Sequence, residues 1–253
     1  YVCYSREFQD ELRDSGFVGV VSQAGFGLLE AAMLVEAAAA CPVSVEAAAS
    51  MMVGPLVGNE QGPVALAWQV GRPVRYLAQA RTLCQFDGDD VLVCEVDDCD
   101  IEEIDSVAAY PLGKLRRVSS HAIRLVGDTA SAIRNRALIG LAAESAGLMR
   151  GALESTVAYV KERQQYGQPL GHFQAIQHRL AECAQIVTAS RWLALRAAYE
   201  CQERPAALAS LYVQDAMRKV IYDCHQFSGA MGLTLEFPLH LWTYRMKVLQ
   251  GEA

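Results

Sequence analysis

The chain has 253 residues, a formal net charge of -7, 52% hydrophobic residues and 20% charged ones. That length and apolar content suit one large domain or two smaller ones around a substantial core, and exclude a disordered chain. The acidic balance opposes nonspecific nucleic-acid binding, which needs a basic face to neutralise phosphates. No apolar run is long enough for a membrane span, and no charged-then-apolar leader opens the chain, so membrane insertion is not expected. Tyr1-Val2-Cys3 has no initiator methionine, so residues are expected in front of it.

The first region, residues 1–62, is alanine-rich and reads as helical. Glu7 to Leu12 forms an amphipathic turn that ends at Ser15-Gly16. Leu28 to Ala40 is a dense Leu/Ala/Met helix stopped by Pro42, and Val45 to Met52 forms another short helix. Glu30 and Glu36, the charges of the middle helix, are expected to face solvent.

The period changes over residues 63–127. Arg75 to Thr82, Val91 to Val96 and His121 to Val126 read as strands, with Asp87-Gly88 as a hairpin turn. The acidic run from Asp97 to Glu103 lacks the glycine and the terminal glutamate of a calcium loop, and is expected to be a solvated loop. Eight cysteines occur in the chain. Cys183 and Cys224 fall in helical patterns and Cys94 in a strand pattern, without framework spacing, so reduced thiols and a cytoplasmic location are expected. Cys94 and Cys99 lack the second ligand pair of a metal site, and no metal is expected.

Residues 128–253 read as four antiparallel helices forming a bundle. Asp128-Thr129 supplies an N-cap. Ile133, Leu138, Leu141, Leu148, Leu153, Val157 and Val160 follow helical spacing. Phe173, Ile176, Leu180, Cys183 and Val187 begin a second helix that runs to about Arg204-Pro205. A third, from Leu208 to Cys224, breaks at Ser228-Gly229, and Pro238 opens a fourth. The fold class is therefore mainly α with a small β region: N-terminal helices, a reduced sheet, then a C-terminal four-helix bundle.

The loop from Glu162 to His178 carries more chemistry than a helix connection needs. Arg163 lies at a helix C-terminus, which favours a cation whatever its function. Tyr166 can stack on a flat ring, Gly167 and Gly171 permit close approach, and Gln174 lies in the first turn of the next helix, where free N–H groups face anions. That is a pyrophosphate site in outline. The second segment, His225 to Pro238, has glycines that let backbone amides approach a ligand, but alone it also reads as a plain flexible connection.

Together the two segments resemble the acyl-CoA dehydrogenase family. Glu162-Arg163-Gln164-Gln165-Tyr166-Gly167-Gln168-Pro169-Leu170, with Phe173-Gln174-Ala175-Ile176-Gln177, is similar to the family's Glu-Arg-x-x-Phe-Gly loop and the helix after it. Gln226-x-x-Gly229-x-x-Gly232 is similar to its Gln-x-x-Gly-Gly-x-Gly block. The resemblance covers about Ile133 to Val248 and agrees with the helix, sheet, helix order. It implies an FAD enzyme that oxidises the Cα–Cβ bond of an acyl-CoA thioester to an enoyl-CoA. It also implies that Arg163, Tyr166, Gln174, Gln226 and Gly229 hold the adenine and pyrophosphate half of a neighbouring subunit's FAD.

The departures lie elsewhere. Trp68-Gln69-Val70-Gly71 does not fit the family's flavin-facing Trp-x-x-Ser/Thr motif, and the strand region is short. Ala230 replaces one glycine of the paired glycines. Ala253 falls where the family's usual base glutamate stands, with Glu252 one residue before it. Asn135, which takes no proton, precedes Arg136 where some members carry their base. The expectation is a subunit with no catalytic residue of its own, sharing an interface FAD with a homologous sister in a heterotetramer that acts on a bulky acyl-CoA, such as a steroid side chain. The alternatives are a self-sufficient enzyme with Glu252 as base and a cofactor-free oligomerisation scaffold.

Overall fold

The computed structural model describes residues 3–69, 71–105 and 108–252. Three helices open the chain: α1 (Arg6–Asp14), α2 (Leu28–Ala40) and α3 (Ala48–Met52). Seven strands follow: β1 (Val64–Ala67), β2 (Pro73–Arg75), β3 (Thr82–Asp87), β4 (Asp90–Glu95), β5 (Asp100–Ile104), β6 (Leu112–Arg117) and β7 (Ile123–Leu125). The bundle helices are α4 (Gly127–Glu162), α5 (Gln174–Glu200), α6 (Glu203–Ser228) and α7 (His240–Leu249). A hairpin, β8 (Gln164–Gln165) and β9 (Gln168–Pro169), separates α4 from α5.

The strands form two small sheets, ordered β1-β3-β4-β7 and β2-β6-β5. In the first, β1 runs parallel to β3, whereas the β3–β4 and β4–β7 pairs are antiparallel. A compact apolar cluster of Ala65, Val74, Leu77, Leu83 and Val96 fills the space beside them. The larger core runs from α2 and α3 through the bundle.

Helix α4 is the central element and packs against α2, α5, α6 and α7. Its glycines set how closely. Gly140, Gly147 and Gly151 recur along one face, and a Cβ on Gly147 would strike the Glu36 carbonyl oxygen of α2. The opposing α2 surface is small as well, with Ala31, Ala32, Ala38 and Ala39 buried. One polar device crosses this apolar contact: the Glu36 carboxylate pairs with Arg150 of α4 at 3.2 Å and with Arg191 of α5 at 2.9 Å. At the other end of α2, Trp242 of α7 donates to Ala40 O at 2.8 Å. Arg245, almost fully buried, donates to Val43 O and Cys41 O at 2.9 and 2.7 Å.

Several local expectations are corrected. Glu36 is buried rather than solvent-facing, because two arginines from neighbouring helices replace its water. The short helix expected from Val45 begins only at Ala48. The expected strand from Arg75 to Thr82 is instead the end of β2, a turn in which Tyr76 adopts a left-handed backbone (φ 58°), and the start of β3. The hairpin turn sits one residue later, on Gly88-Asp89, because Asp87 pairs with Asp90. The acidic run is no free loop: its second half is the edge strand β5, which pairs with a strand, β6, that the pattern did not reveal. Val126 rather than Asp128-Thr129 occupies the N-cap of α4, without a side-chain cap. Helix α5 stops at Glu200, where Cys201 turns left-handed (φ 51°), and α7 is short. Val70 and Ala253 lie outside the described residues.

All eight cysteines are free thiols, and no helix among the described residues is long and apolar enough to cross a membrane. Gly147→Ala tests the close α2–α4 contact. Overpacking of this kind costs about 1–3 kcal/mol, so urea denaturation is expected to show a lowered midpoint with an unchanged slope.

Candidate functional site

The polar loop after α4 is a built structure. Arg163 ends the helix, with its N–H on Tyr159 O at 2.9 Å, and its own carbonyl accepts from Leu170 N at 2.8 Å. Between them β8 and β9 pair across a two-residue turn, Tyr166-Gly167, with φ of 55° and 81°. Two consecutive positive φ values define a hairpin turn whose twist matches its strands. The turn holds the Tyr166 ring out in solvent, 87% exposed, with only an edge-to-face contact to Phe173 at 6.1 Å. Gly171 lets the following turn lie against the last turn of α4, since a Cβ there would sit 3.2 Å from Val160 O. Gln174 then opens α5. Arg163, Tyr166 and Gln174 are all exposed, and no ion pair among the described residues uses Arg163.

The second segment closes α6. Gly229 is its C-cap at φ 57° and ψ -143°, a backbone that favours glycine; a Cβ there would meet nothing, so conformation and not space demands it. Ala230 carries no positive φ, and alanine is accommodated where the family pattern has glycine. Gly232 is a close-approach glycine, 2.8 Å from Ser228 Cβ if a Cβ were added. Gln226 and Gly229 line an open cleft of about 520 Å³ together with Arg218, Tyr222, His225 and Lys247. Burial holds the His225 imidazole below its ordinary value, favouring the neutral ring, which meets Thr243 Oγ1 at 3.1 Å.

Buried Asp223 sets these two segments at one end of the bundle. It takes an ion pair from Arg179 of α5 and another, at 3.0 Å, from Lys219 of its own helix, which also reaches Glu182 of α5 at 2.9 Å. The start of α5 is thereby fixed beside the end of α6. Arg179 lies over the rings of Tyr222 and Phe227, at 5.6 and 5.1 Å. Tyr159 of α4 meets Phe237 at 5.1 Å, which brings in the segment after Gly232. Arg163, Tyr166, Gln174, Gln226 and Gly229 therefore share this end, and none of their side chains bonds to another of the five among the described residues.

A second polar centre was not visible in the sequence. Arg75, at the end of β2, extends Nε to both oxygens of Glu252 at 2.9 Å and Nη1 to Glu144 Oε1 at 3.0 Å. Tyr110 donates to the same Glu144 oxygen at 2.7 Å, and the guanidinium lies 4.7 Å from the Tyr110 ring centre. Side-chain exposures are 11% for Arg75, 7% for Glu144 and 12% for Glu252. Burial opposes the Arg75 charge, but Glu144 and then Glu252 overrule it and hold the guanidinium well above its ordinary value. A cleft of about 260 Å³ opens beside it, lined by Leu66, Trp68, Arg72, Val248 and Glu252 among others. Trp68 stacks on Phe86 at 4.4 Å. The sequence offered Glu252 as a candidate base and an arginine at a strand end, with nothing to join them. Its partners lie 69 and 177 residues away.

Residues 129–251 match the family described as "Acyl-CoA dehydrogenase, C-terminal domain". The acyl-CoA dehydrogenase IpdE2 of Mycolicibacterium smegmatis is 29% identical over 228 residues, covering 83% of this chain and 72% of that protein. IpdE2 of Mycobacterium tuberculosis is 34% identical over 113 residues, 45% of this chain, and the match spans only 36% of that protein's length. Among solved structures, the Tcur3481–Tcur3483 steroid ACAD variant superposes with a TM-score of 0.84 at 22% identity, over 98% of this chain and 84% of that one. The ChsE4–ChsE5 complex of Mycobacterium tuberculosis gives 0.81 at 19%, and butyryl-CoA dehydrogenase of Megasphaera elsdenii 0.79 at 18%; each covers 98% of this chain, and 84% and 86% of those chains.

Helices, a small double sheet and a helical bundle with a polar two-segment end define the class: an acyl-CoA dehydrogenase fold. Residues 129–251 belong to the acyl-CoA dehydrogenase C-terminal domain family, and the chain as a whole has that family's fold.

The buried arginine centre has a pH signature. Burial pushes the Glu252 carboxyl up, against the pull of Arg75. A carboxyl raised in the folded state adds stability that is complete below its unfolded value and is lost as pH rises through the folded one. Arg75→Met strands the carboxylates without a counter-charge and is expected to cost about 3–5 kcal/mol near neutrality. The penalty should shrink as pH falls through the carboxylate range, because protonation removes the stranded Glu252 charge. Urea titrations near neutrality and in that range check this; a pH-independent penalty would contradict the charge account.

Proposed function

We propose that this chain is a subunit of an FAD-dependent acyl-CoA dehydrogenase complex and supplies the adenine and pyrophosphate side of an FAD site at a subunit interface. A homologous sister subunit supplies the base and most of the acyl-CoA pocket. The observation that carries the reading is a contrast within one chain. Five ligand-type residues stand exposed at one end of the bundle, whereas both oxygens of Glu252, the carboxylate beside the family's base position, accept from Arg75 Nε.

The donor set fits half of the cofactor. Arg163 is an exposed cation with no ion pair among the described residues, Gln174 and Gln226 offer amides, and Tyr166 offers an exposed ring of the kind that stacks on adenine. Arg218 and Lys247 add positive charge to the cleft beside Gln226 and Gly229. When bound, FAD accepts the hydride in the family's reaction. This chain's part is to bind and orient: Arg163 fixes the diphosphate by charge-assisted bonds and Tyr166 covers the flat ring. Its neutral His225 adds no charge.

The bundle also leaves Trp192 and Tyr199 of α5 and Leu208 and Leu211 of α6 exposed. Apolar exposure on that scale suits a covering subunit. Solved relatives named as the ChsE4–ChsE5 complex and as a steroid ACAD supply the analogy for two kinds of subunit and a bulky substrate.

Co-expression with a homologous acyl-CoA dehydrogenase subunit tests the proposal. A heteromeric complex with flavin absorbance is expected, and little flavin from this chain alone; one FAD per protomer of the isolated chain would sink the reading. In the complex, Arg163→Ala removes a charge-assisted contact worth about 1.5–3 kcal/mol, so FAD is expected to bind roughly ten- to hundred-fold more weakly with assembly intact. Unchanged flavin affinity would favour a plain scaffold.

A second reading has one observation in its favour: Glu252, with its raised carboxyl, lines the cleft beside Trp68. There Glu252 is the base of a self-sufficient enzyme. Glu252→Gln should then abolish turnover and spare flavin binding, and retained turnover rules this reading out.

A further inference from the structure

Two thiols meet where the two sheets join. Cys94 belongs to β4 of the first sheet, and Cys99 stands immediately before β5 of the second, across one 3₁₀ turn, Val96–Asp98. Their sulfurs are 3.4 Å apart. That is contact distance, roughly 1.4 Å longer than a disulfide bond. Val96 is buried in the small core and donates its N–H to Arg81 O at 2.8 Å, and Cys99 N returns to Val96 O at 2.9 Å. The pair is thus held by backbone bonds and packing, and both side chains sit against the small apolar cluster. No group of three His, Cys, Asp or Glu among the described residues could hold a metal, so ligation does not account for the pair.

We propose that Cys94 and Cys99 form a reversible thiol–disulfide site whose oxidised form staples the junction between the two sheets. The oxidant is a low-molecular-weight disulfide, RSSR. Cys99 gives its proton to solvent and attacks one sulfur, forming a Cys99–S–S–R bond and releasing RS⁻. Cys94 then gives up its proton and attacks Cys99 Sγ, closing the protein disulfide and expelling the second RS⁻. Two protein thiols are oxidised and one RSSR is reduced to two RSH. Burial and the neighbouring Cys99 thiol push the Cys94 thiol up to about 12 in the reduced pair, so Cys94 does not make the first attack. In a reducing compartment such a bond is transient, as sensing disulfides are.

The surroundings select the reagent. Glu95, Asp97, Asp98 and Asp100 frame Cys99; against these four carboxylates, Arg81 pairs with Glu95 at 3.6 Å and Arg117 stands across from Asp100 in the β5–β6 pair. Negative surroundings repel anionic disulfides and attract cationic ones, an effect that salt screens. Cationic cystamine should react several-fold faster than anionic glutathione disulfide at low salt, and the two rates should converge near about 1 M salt.

The test treats the native full chain with each reagent, quenches with acid and maps disulfides without reduction. The exposed Cys201 reports reagent reactivity in the same sample. A Cys94–Cys99 link is expected, reversed by dithiothreitol, missing in Cys94→Ser and Cys99→Ser and retained in Cys84→Ser. Amide exchange over residues 96–104 should slow in the oxidised form. Labelling of Cys201 while Cys94 and Cys99 stay free, or carry separate adducts, would overturn the proposal. A link that leaves exchange over 96–104 unchanged would overturn the staple, and equal reagent rates at low salt would overturn the charge selection.

Discussion

One buried guanidinium ties the two halves of this molecule together. Arg75 leaves the small sheet at the end of β2 and meets Glu144 from the middle of α4 and Glu252 from the turn after α7. Such a group is costly to bury and is tolerated only when its charge is answered and its donors are used. Here two carboxylates answer it and Tyr110 covers it and bonds to one of them. The junction forms only when distant stretches of the chain, the end of β2, the middle of α4 and the turn after α7, are in place together. The cleft beside Trp68 inherits its shape from that junction.

This junction separates two kinds of polar chemistry. Around Arg75 the charges are buried and paired, two carboxylates on one guanidinium. At the far end of α4, Arg163, Tyr166 and Gln174 are exposed, and Arg163 has no ion pair among the described residues. Internal ion pairs hold both in place. Asp223 aligns α5 with α6 through Arg179 and Lys219, and Glu36 aligns α2 with α4 and α5 through Arg150 and Arg191. The buried carboxylates Asp223 and Glu36 thus serve the architecture, while Arg163, Gln174 and Gln226 stay exposed.

How much of this was legible in the sequence depended on distance along the chain. The long bundle helices showed in apolar periodicity because a helix writes its buried face every three to four residues. The polar loop showed because Arg163, Tyr166 and Gly167 are neighbours. Strands β5 and β6 did not show: β5 alternates weakly, and acidic side chains mask an edge strand that is paired on one side only. Glu36 was misread for a related reason, since its two arginines arrive from α4 and α5 and nothing near it in sequence announces them. The Arg75 centre was invisible on the same ground. Long-range charge pairing leaves no local period.

The turn at Tyr166-Gly167 has a consequence for recognition. Its ring is displayed by two left-handed residues in a closed hairpin and by almost no packing. A non-glycine residue in that conformation carries a strain of roughly 1–2 kcal/mol, met here in advance by folding and not at the moment of contact. A surface so pre-organised gives up little conformational entropy when something flat lies against it. On the proposed reading, selectivity at this end of the bundle would reside in the angle at which the backbone presents Tyr166, and a change at Gly167 would alter recognition without removing a single contacting atom.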